Sequence, residues 1–164
     1  MTAAPRSPRA LKIAVGAGLA VLAAHLAQWC GPDVEARLFP VLGAQALTDV
    51  VRTGSEVCFT WRFDKRREAR AVDAGWTLRT GARVYPYQAV RQGPDSLGPR
   101  LAGALVDRPA GSGQWTRKCI ALPPELGAKG LRLPFQITGF LEYETAATGR
   151  LWSVREETAR VTVP

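Results

Sequence analysis

The sequence predicts an all-β domain, an antiparallel β-sandwich of seven or eight strands, preceded by one N-terminal transmembrane helix. Three observations support this class. A long uncharged run follows three cations near the N-terminus. Beyond it, apolar and polar residues alternate in short runs, which is the period of a strand with one buried face. Glycine, proline and other turn residues interrupt these runs at intervals of about 8–12 residues, as is typical of sandwiches and barrels.

The N-terminal run has the features of a signal anchor. It extends from Ile13 to Cys30 and is apolar apart from His25 and Gln28. A membrane-spanning helix needs about 17–25 residues, so this run is long enough to cross. The cations that precede it are Arg6, Arg9 and Lys12. Because cations mark the cytoplasmic side, the N-terminus is expected in the cytoplasm and everything after Cys30 outside it.

We therefore predict four segments. They are a cytoplasmic basic N-terminus (1–12), a transmembrane signal-anchor helix (13–30), a juxtamembrane stalk (31–46) and an exported sandwich domain (47–164). A cleaved signal peptide is the competing interpretation, but no clean Ala-x-Ala site lies where cleavage would need it. The abundance of Arg, Ala and Gly hints at a bacterial genome, so the predicted location is the inner membrane, single-pass, with the domain in the periplasm or outside the cell.

Small residues recur at three- and four-residue spacing along the predicted helix. They are Gly16, Ala20, Ala23, Ala24 and Ala27. Such a face lets two helices approach closely in lipid, so a homo-oligomer through this face is one possibility. An alanine-rich membrane segment also produces such faces by composition alone.

The net charge of +8 excludes few partners by itself. Three of the cations precede the helix, so residues 31–164 carry a charge of +5. A moderate excess of this kind suits anionic lipid or an acidic protein partner. It is too small and too dispersed to indicate nucleic acid, and export makes that partner less plausible still.

The first strong strand signal runs from Ser55 to Phe63. Its apolar side chains share one face: Val57, Phe59, Trp61 and Phe63. A highly charged connection from Asp64 to Arg70 follows, and its cations could contact an anionic partner or simply face solvent. These cations are Lys65, Arg66, Arg67 and Arg70.

Further alternating segments complete the predicted sheet. They are Trp76 with Leu78, Val84–Val90, Leu101–Val106, Trp115–Leu122, Leu131–Tyr143 and Arg150–Val163. Gly93–Pro99 is predicted to be a loop because it contains two glycines and two prolines. Gly139 is predicted at a bend or a close approach. The last segment changes phase, which predicts a bulge near Glu156 and Glu157.

Three cysteines indicate one disulfide and one remaining thiol. Outside the cytoplasm thiols are usually oxidised, and Cys58 with Cys119 is the natural pair within the domain. Cys58 lies on the less apolar face of its strand, so the bridge is expected near the sheet surface. Cys30 is then either an unpaired thiol at the membrane surface or half of an intersubunit disulfide.

The paired cysteines and flanking tryptophans resemble an immunoglobulin-like sandwich in architecture. Such a domain has a Trp roughly a dozen residues after its first Cys and a Tyr two before the second. Here Trp61 and Trp76 flank the expected distance, and Arg117 replaces the Tyr. The fold class is therefore immunoglobulin-like in architecture only.

Residues Val57–Thr60 also resemble the Cys-Phe-Cys-Phe stretch of the membrane-anchored copper chaperones of oxidase assembly. That resemblance implies an anchor and an exported immunoglobulin-like domain, but Thr60 replaces the second cysteine, so the copper site is missing. Cys58 and Cys119 could instead form a redox or metal-delivery pair, because thiolates are the ligands that Cu(I) prefers.

The chemical inventory predicts a protein that is not an enzyme. The one histidine, His25, lies in the membrane segment, so the domain has no imidazole for nucleophilic catalysis. We find no zinc-ligand spacing and no phosphate-binding glycine loop, and we predict no cofactor and no metal. The leading hypothesis is a non-enzymatic interaction module or accessory subunit of an envelope complex. The partner protein is not identified by the sequence.

Overall fold

A single long helix leads directly into two antiparallel sheets in the computed structural model, which describes residues 8–86, 90–96, 107–124 and 134–164. The helix, α1, spans Pro8–Leu38. Its part from Leu11 to Leu38 is long and apolar enough to cross a membrane, and none of its most apolar window is buried. The predicted combination of an N-terminal apolar helix and antiparallel β-structure is confirmed.

The described strands, in chain order, are β1 (Leu42–Thr53), β2 (Glu56–Lys65), β3 (Ala69–Thr80), β4 (Arg83–Pro86), β5 (Val90–Asp95), β6 (Gly111–Ala121), β7 (Phe135–Thr145), β8 (Ser153–Glu157) and β9 (Val161–Val163). One sheet has the strand order β1-β2-β6-β5. The other has the order β4-β3-β7-β8, and β9 pairs with β7 as well. All of these pairings are antiparallel.

The core lies between the two sheets and begins with the alternation in β2. Phe59 and Trp61 are buried on the inner face of this strand. Both meet Trp76 of β3, with ring centroids 4.6 Å and 6.0 Å away in edge-on arrangements. Aromatic pairs in this geometry add about 0.5–1.5 kcal/mol beyond their buried area. These contacts join the sheets face to face.

Gly139 is the clearest case of a sequence signal with a structural cause. It lies opposite Trp76 in the β3–β7 ladder. A Cβ at this position would be 2.7 Å from the Trp76 ring and 2.9 Å from the Gly75 carbonyl oxygen. The indole ring therefore needs a glycine here, and the predicted close approach is present.

The segment predicted to be a stalk, 31–46, is divided differently in the structure. Helix α1 continues through Gly31 and Pro32 to Leu38, and β1 begins at Leu42. Three residues separate the helix from the sheet. Interactions between α1 and the sandwich, described below, hold these last turns of helix in place.

Three smaller expectations also need correction. The predicted connection Asp64–Arg70 is shorter, because β2 continues to Lys65 and β3 starts at Ala69. Part of the predicted loop 93–99 belongs to β5. The last segment forms β8 and β9 in place of one bulged strand. The predicted strand 101–106 and residues 131–133 lie outside the described residues.

Candidate functional site: the helix–sandwich junction

Glu35 of α1 is the centre of the contact between the helix and the sandwich. It is only 6% exposed. Its Oε1 accepts a hydrogen bond of 2.5 Å from the Thr145 hydroxyl, and its Oε2 accepts one of 2.7 Å from the Trp152 indole N–H. Arg67 completes the group with an ion pair of 2.8 Å to Oε1. One carboxylate thus meets donors from three separate parts of the sandwich.

This arrangement fixes the helix more firmly than an exposed ion pair would. A surface pair contributes about 0–1 kcal/mol, but hydrogen bonds to a charged group contribute about 1.5–3 kcal/mol each. Both oxygens of Glu35 are occupied, so its buried charge is compensated. The contact therefore has a defined geometry, which a chain of apolar contacts alone would not impose.

Gly31 lies one turn before Glu35 on the same face of α1. A Cβ at Gly31 would lie 2.8 Å from two ring carbons of Trp152. The indole of Trp152 consequently packs against bare helix backbone while its N–H donates to Glu35. The two contacts reinforce each other, because both require the same position of the ring.

Glu156 holds the joint where α1 passes into β1. Its two carboxylate oxygens accept from the backbone N–H groups of Val41 and Leu42, at 2.5 Å and 2.9 Å. The Val41 carbonyl accepts from the Arg66 N–H at 2.8 Å. Val41 is fully buried. The backbone between α1 and β1 is therefore held through its N–H groups and through a carbonyl group.

A groove with mostly apolar walls lies beside this joint. Its volume is about 550 Å³, and it is lined by Gly31, Val34, Glu35, Phe39, Arg67, Thr148 and Trp152. Val34 is 50% exposed and Phe39 is 63% exposed. The charged members, Glu35 and Arg67, already neutralise each other. The groove is suited to an apolar occupant.

The structure separates the four predicted cations of the basic cluster. Lys65 is buried at 3% exposure, and its ammonium donates to the carbonyl oxygens of Ala69 and Arg108. Burial lowers the pKa of Lys65, while the nearby carboxylates of Glu68 and Asp107 act in the opposite direction. Lys65 is therefore an interior residue. Its buried position does not fit the prediction that it belongs to a surface for an anionic partner.

The other three cations also differ from one another. Arg67 is engaged by Glu35. Arg70 has an exposed side chain and lies 3.9 Å from Glu144, a distance at which an exposed pair contributes little. Arg66 is exposed as well. Only Arg66 and Arg70 thus retain the surface position that the sequence suggested for the whole cluster.

The predicted disulfide joins Cys58 to Cys119. The two residues lie directly opposite each other on β2 and β6, with Cα atoms 4.0 Å apart. The bridge therefore lies within one sheet, whereas the immunoglobulin disulfide connects two sheets. Cys30 is a free, exposed cysteine.

Glu56 is the one additional ligand-type side chain that lies near the bridge among the described residues. One of its carboxylate oxygens and the two sulfur atoms all lie within 4.8 Å of one another. Oxygen and sulfur donors in such a group could hold a metal only with the sulfurs reduced, because a thiolate is the ligand. In the structure both sulfurs are bonded to each other.

Glu35 and Trp152 are functional candidates that sequence reasoning missed. The sequence shows Glu35 only as an acidic residue after the apolar run. A helical pattern that continues past Gly31-Pro32, with Gly31 and Glu35 four residues apart, was the one available signal. Their partners could not be read from the sequence, because Trp152 lies 117 positions from Glu35.

Comparisons with known proteins leave the family of this chain open. No family model matches it, and no curated protein matches it. Among solved structures, the GAE domain of GGA2p from Saccharomyces cerevisiae is similar over 74% of this chain and 98% of its own, with 13% identity and a TM-score of 0.32. The GAE domain of yeast GGA1 matches over 73% and 87%, with 12% identity and a TM-score of 0.33. Similarities at this level carry no argument about function.

Proposed function

We propose that this protein is a membrane-anchored, exported β-sandwich that serves as a non-enzymatic interaction module or accessory subunit of a bacterial envelope complex. The observation that carries the proposal is the apolar surface of α1. Its large side chains are exposed along the helix, among them Ile13 (73%), Leu19 (61%), Leu26 (56%) and Trp29 (83%). Water is a poor solvent for such a surface, and a bilayer is a good one.

Two further features support export of the sandwich. The cations before the apolar run favour a cytoplasmic N-terminus. The Cys58–Cys119 bridge is typical of an oxidising compartment, such as the bacterial periplasm. The bacterial inner membrane remains the expected location on the basis of composition.

The comparison with immunoglobulin-like sandwiches is part of this proposal. Two antiparallel sheets with an aromatic core support it, and the disulfide within one sheet marks a difference. Sandwiches on membrane helices often present edges and loops to other proteins, which is an analogy at the level of the fold. Arg66 and Arg70 are the cations that could meet an acidic partner.

The first stage of the test is alkaline carbonate extraction of membranes that contain the full chain with a C-terminal tag. We expect the protein to stay in the membrane fraction at full length, and protease added outside spheroplasts to remove the tag. A matched variant, Leu19→Arg with Leu22→Arg, should move to the soluble fraction. Release of a shortened wild-type species would contradict an anchor and indicate a cleaved signal.

The second stage is crosslinking in the same membranes, followed by purification through the tag. A specific partner is expected with the wild-type chain. Arg66→Glu with Arg70→Glu distinguishes a solvated loop from a contact site, since Arg67 and its ion pair are left intact. Loss of the partner at an unchanged melting temperature would assign the contact to Arg66 and Arg70.

A redox or metal-delivery factor is the second candidate, because Glu56 lies beside both sulfur atoms. This function requires Cys58 and Cys119 to be reduced in the working state. Thiol counting in protein isolated under acid quench separates the two candidates. One alkylatable thiol supports the interaction module, and three support metal delivery.

A further inference from the structure

The groove at the helix–sandwich junction lies beside the last turns of α1. It is therefore close to the bilayer that α1 is proposed to span. The apolar stretch Leu11–Leu38 contains 28 residues. At 1.5 Å per residue it is about 42 Å long. The hydrocarbon core of a bilayer is about 30 Å thick, and about 40–45 Å with the headgroup regions. If Leu11–Leu38 is centred in the bilayer, about 20 of its residues cross the core and about four at its end, 35–38, lie at headgroup level.

The sandwich cannot move away from this level. Only three residues separate α1 from β1. Their backbone is held by Glu156 and Arg66, and the helix is held by Glu35. A flexible stalk would allow the domain to stand off the membrane, but a fixed joint places its nearest surface against the lipid.

The nearest surface carries large exposed apolar side chains beside the exposed charges of Asp33 and Arg37. Leu38 is 66% exposed, and Leu151 is 73% exposed in the turn that carries Thr148 and Trp152. Leu38 and Leu151 are next in sequence to Phe39 and Trp152, which line the groove. Clustered exposed apolar side chains of this kind mark a contact with protein or membrane.

The charges around the groove favour lipid as the occupant. Glu35 and Arg67 neutralise each other, so the groove offers no unpaired charge to an acyl chain. Arg150 is exposed next to Leu151, where a phosphate of the headgroup layer would meet it. An apolar floor with a neighbouring cation is the arrangement of interfacial membrane contacts.

We propose that phospholipid of the leaflet in which α1 ends occupies this groove, so that an upper acyl chain lies along Gly31 and Val34, and Phe39 and Leu151 are inserted at the level of the headgroups. The inference rests on the proposed anchoring of α1 and adds to it a defined orientation of the sandwich. The domain lies on the membrane with the Thr145–Trp152 side downward.

The test uses the full chain in vesicles of phosphatidylcholine and phosphatidylglycerol. Cys30→Ser is present throughout, and single cysteines are introduced by Phe39→Cys, Leu151→Cys, Leu19→Cys or Val84→Cys. Each is labelled with an environment-sensitive fluorophore, and quenching by spin-labelled phosphatidylcholine is measured. The lipid carries its label either near the headgroup or near the chain end.

Leu19→Cys and Val84→Cys are the matched controls. Leu19 reports whether α1 spans the bilayer. Val84 is half exposed in β4 and pairs with Arg79, ten residues along β3 from Ala69, which pairs with Thr145. At about 3.3 Å per residue, Val84 lies about 33 Å from the junction end of the sheet.

We expect the label at positions 39 and 151 to be quenched within about a factor of two of position 19, and more strongly by the shallow spin label than by the deep one. Position 84 should remain at background. Quenching at position 19 alone would overturn the lipid groove and leave the anchor intact. Absence of quenching at all positions would overturn both. A blue-shifted but unquenched label at position 39 would assign the groove to protein and also overturn the inference.

Discussion

Glu35 is a charged residue at the point where the apolar helix α1 meets the sandwich. A buried ion pair alone contributes uncertain stability, because desolvation of both charges opposes their attraction. Here the Thr145 hydroxyl and the Trp152 indole add two hydrogen bonds to the ion pair with Arg67. Together they give the carboxylate a specific set of partners. Because hydrogen bonds are directional, these partners fix the orientation of the helix as well as its contact with the sandwich.

Replacement of Glu35 by Leu should lower the free energy of unfolding of the sandwich in detergent by about 3–5 kcal/mol. The loss arises because three donors are left without their acceptor and Arg67 keeps a partly buried charge. Chemical denaturation followed by circular dichroism measures it.

The control for this prediction is a double-mutant cycle with Arg67→Leu. The double variant should be more stable than Glu35→Leu alone, since the unpaired cation is then removed. Purely additive effects would show that the two side chains are not energetically coupled, contrary to the contact described here.

Lys65 shows how a residue-level signal can be present and still be misinterpreted. It has the same parity as Val57, Phe59, Trp61 and Phe63, so continued alternation places it on the buried face. Its charge argued for a loop, and the predicted strand ended at Phe63. The carbonyl oxygens of Ala69 and Arg108 resolve the conflict, because they satisfy the buried ammonium. Neither carbonyl can be located from the sequence.

At the level of elements, α1 and β1 behave as one continuous unit. The pair Gly31-Pro32 is a typical signal for the end of a helix, because proline removes a backbone donor and crowds the preceding turn. The helix nevertheless continues for six residues beyond Pro32. Packing of Trp152 on Gly31 and the bonds to Glu35 outweigh the local preference, and such tertiary contacts are invisible to a local pattern.

The contact between Gly31 and Trp152 can be tested by substitution with valine. Gly31→Val should displace the indole ring, since even a Cβ would lie 2.8 Å from it. Overpacking of this kind costs about 1–3 kcal/mol. We expect faster cleavage by trypsin after Arg37 in detergent, because the last turn of α1 loses its support.

Gly18→Val is the matched control for Gly31→Val. It introduces the same side chain into the same helix, at a position where a Cβ has no neighbour within 4 Å. Its rate of cleavage should equal that of the wild type. Equal rates for all three proteins would mean that the helix does not depend on Trp152.

Strands β8 and β9 illustrate a smaller limit of prediction from sequence. The change of phase between Val154 and Val161 was correctly located but assigned to a bulge. The structure interrupts the strand, and Thr158 bridges the gap: its N–H donates to the Gly139 carbonyl and its hydroxyl accepts from the Gly139 N–H. A bulge and a break give the same pattern of apolar residues, so only the partner strand distinguishes them.

For the whole molecule, alternation and turn spacing were sufficient to predict the class of fold. With the uncharged N-terminal run they predicted a helix followed by antiparallel β-structure, and the expected export of the domain paired Cys58 with Cys119. The arrangement of the helix on the sandwich could not be predicted. Its contacts join Glu35 to Thr145 across 110 positions, and neither composition nor periodicity carries information about such a pair.

The disulfide is expected to be structural. Replacing Cys58 and Cys119 together by Ser should lower the free energy of unfolding by about 2–5 kcal/mol, as is typical for a native disulfide of a small domain. The bridge restricts the unfolded chain between residues that are 61 positions apart. Thermal denaturation of the wild type and the double variant measures the difference.

Cys30 provides the internal control for the disulfide. It is free and exposed, so the native protein should take up one alkyl group without reductant, as measured by mass spectrometry. Uptake of three groups would contradict a structural bridge and favour the metal-delivery candidate. Cys30→Ser should abolish uptake and leave stability unchanged.

The joint closed by Glu35 and Glu156 also determines the order in which the protein can mature. Both acidic side chains connect the first 42 residues to a stretch between Thr145 and Glu156. A ribosome releases the helix long before it produces that stretch. The helix therefore forms before its partners in the sandwich exist, and the finished domain then fixes its orientation. The last strands to be synthesised decide how the first element is held.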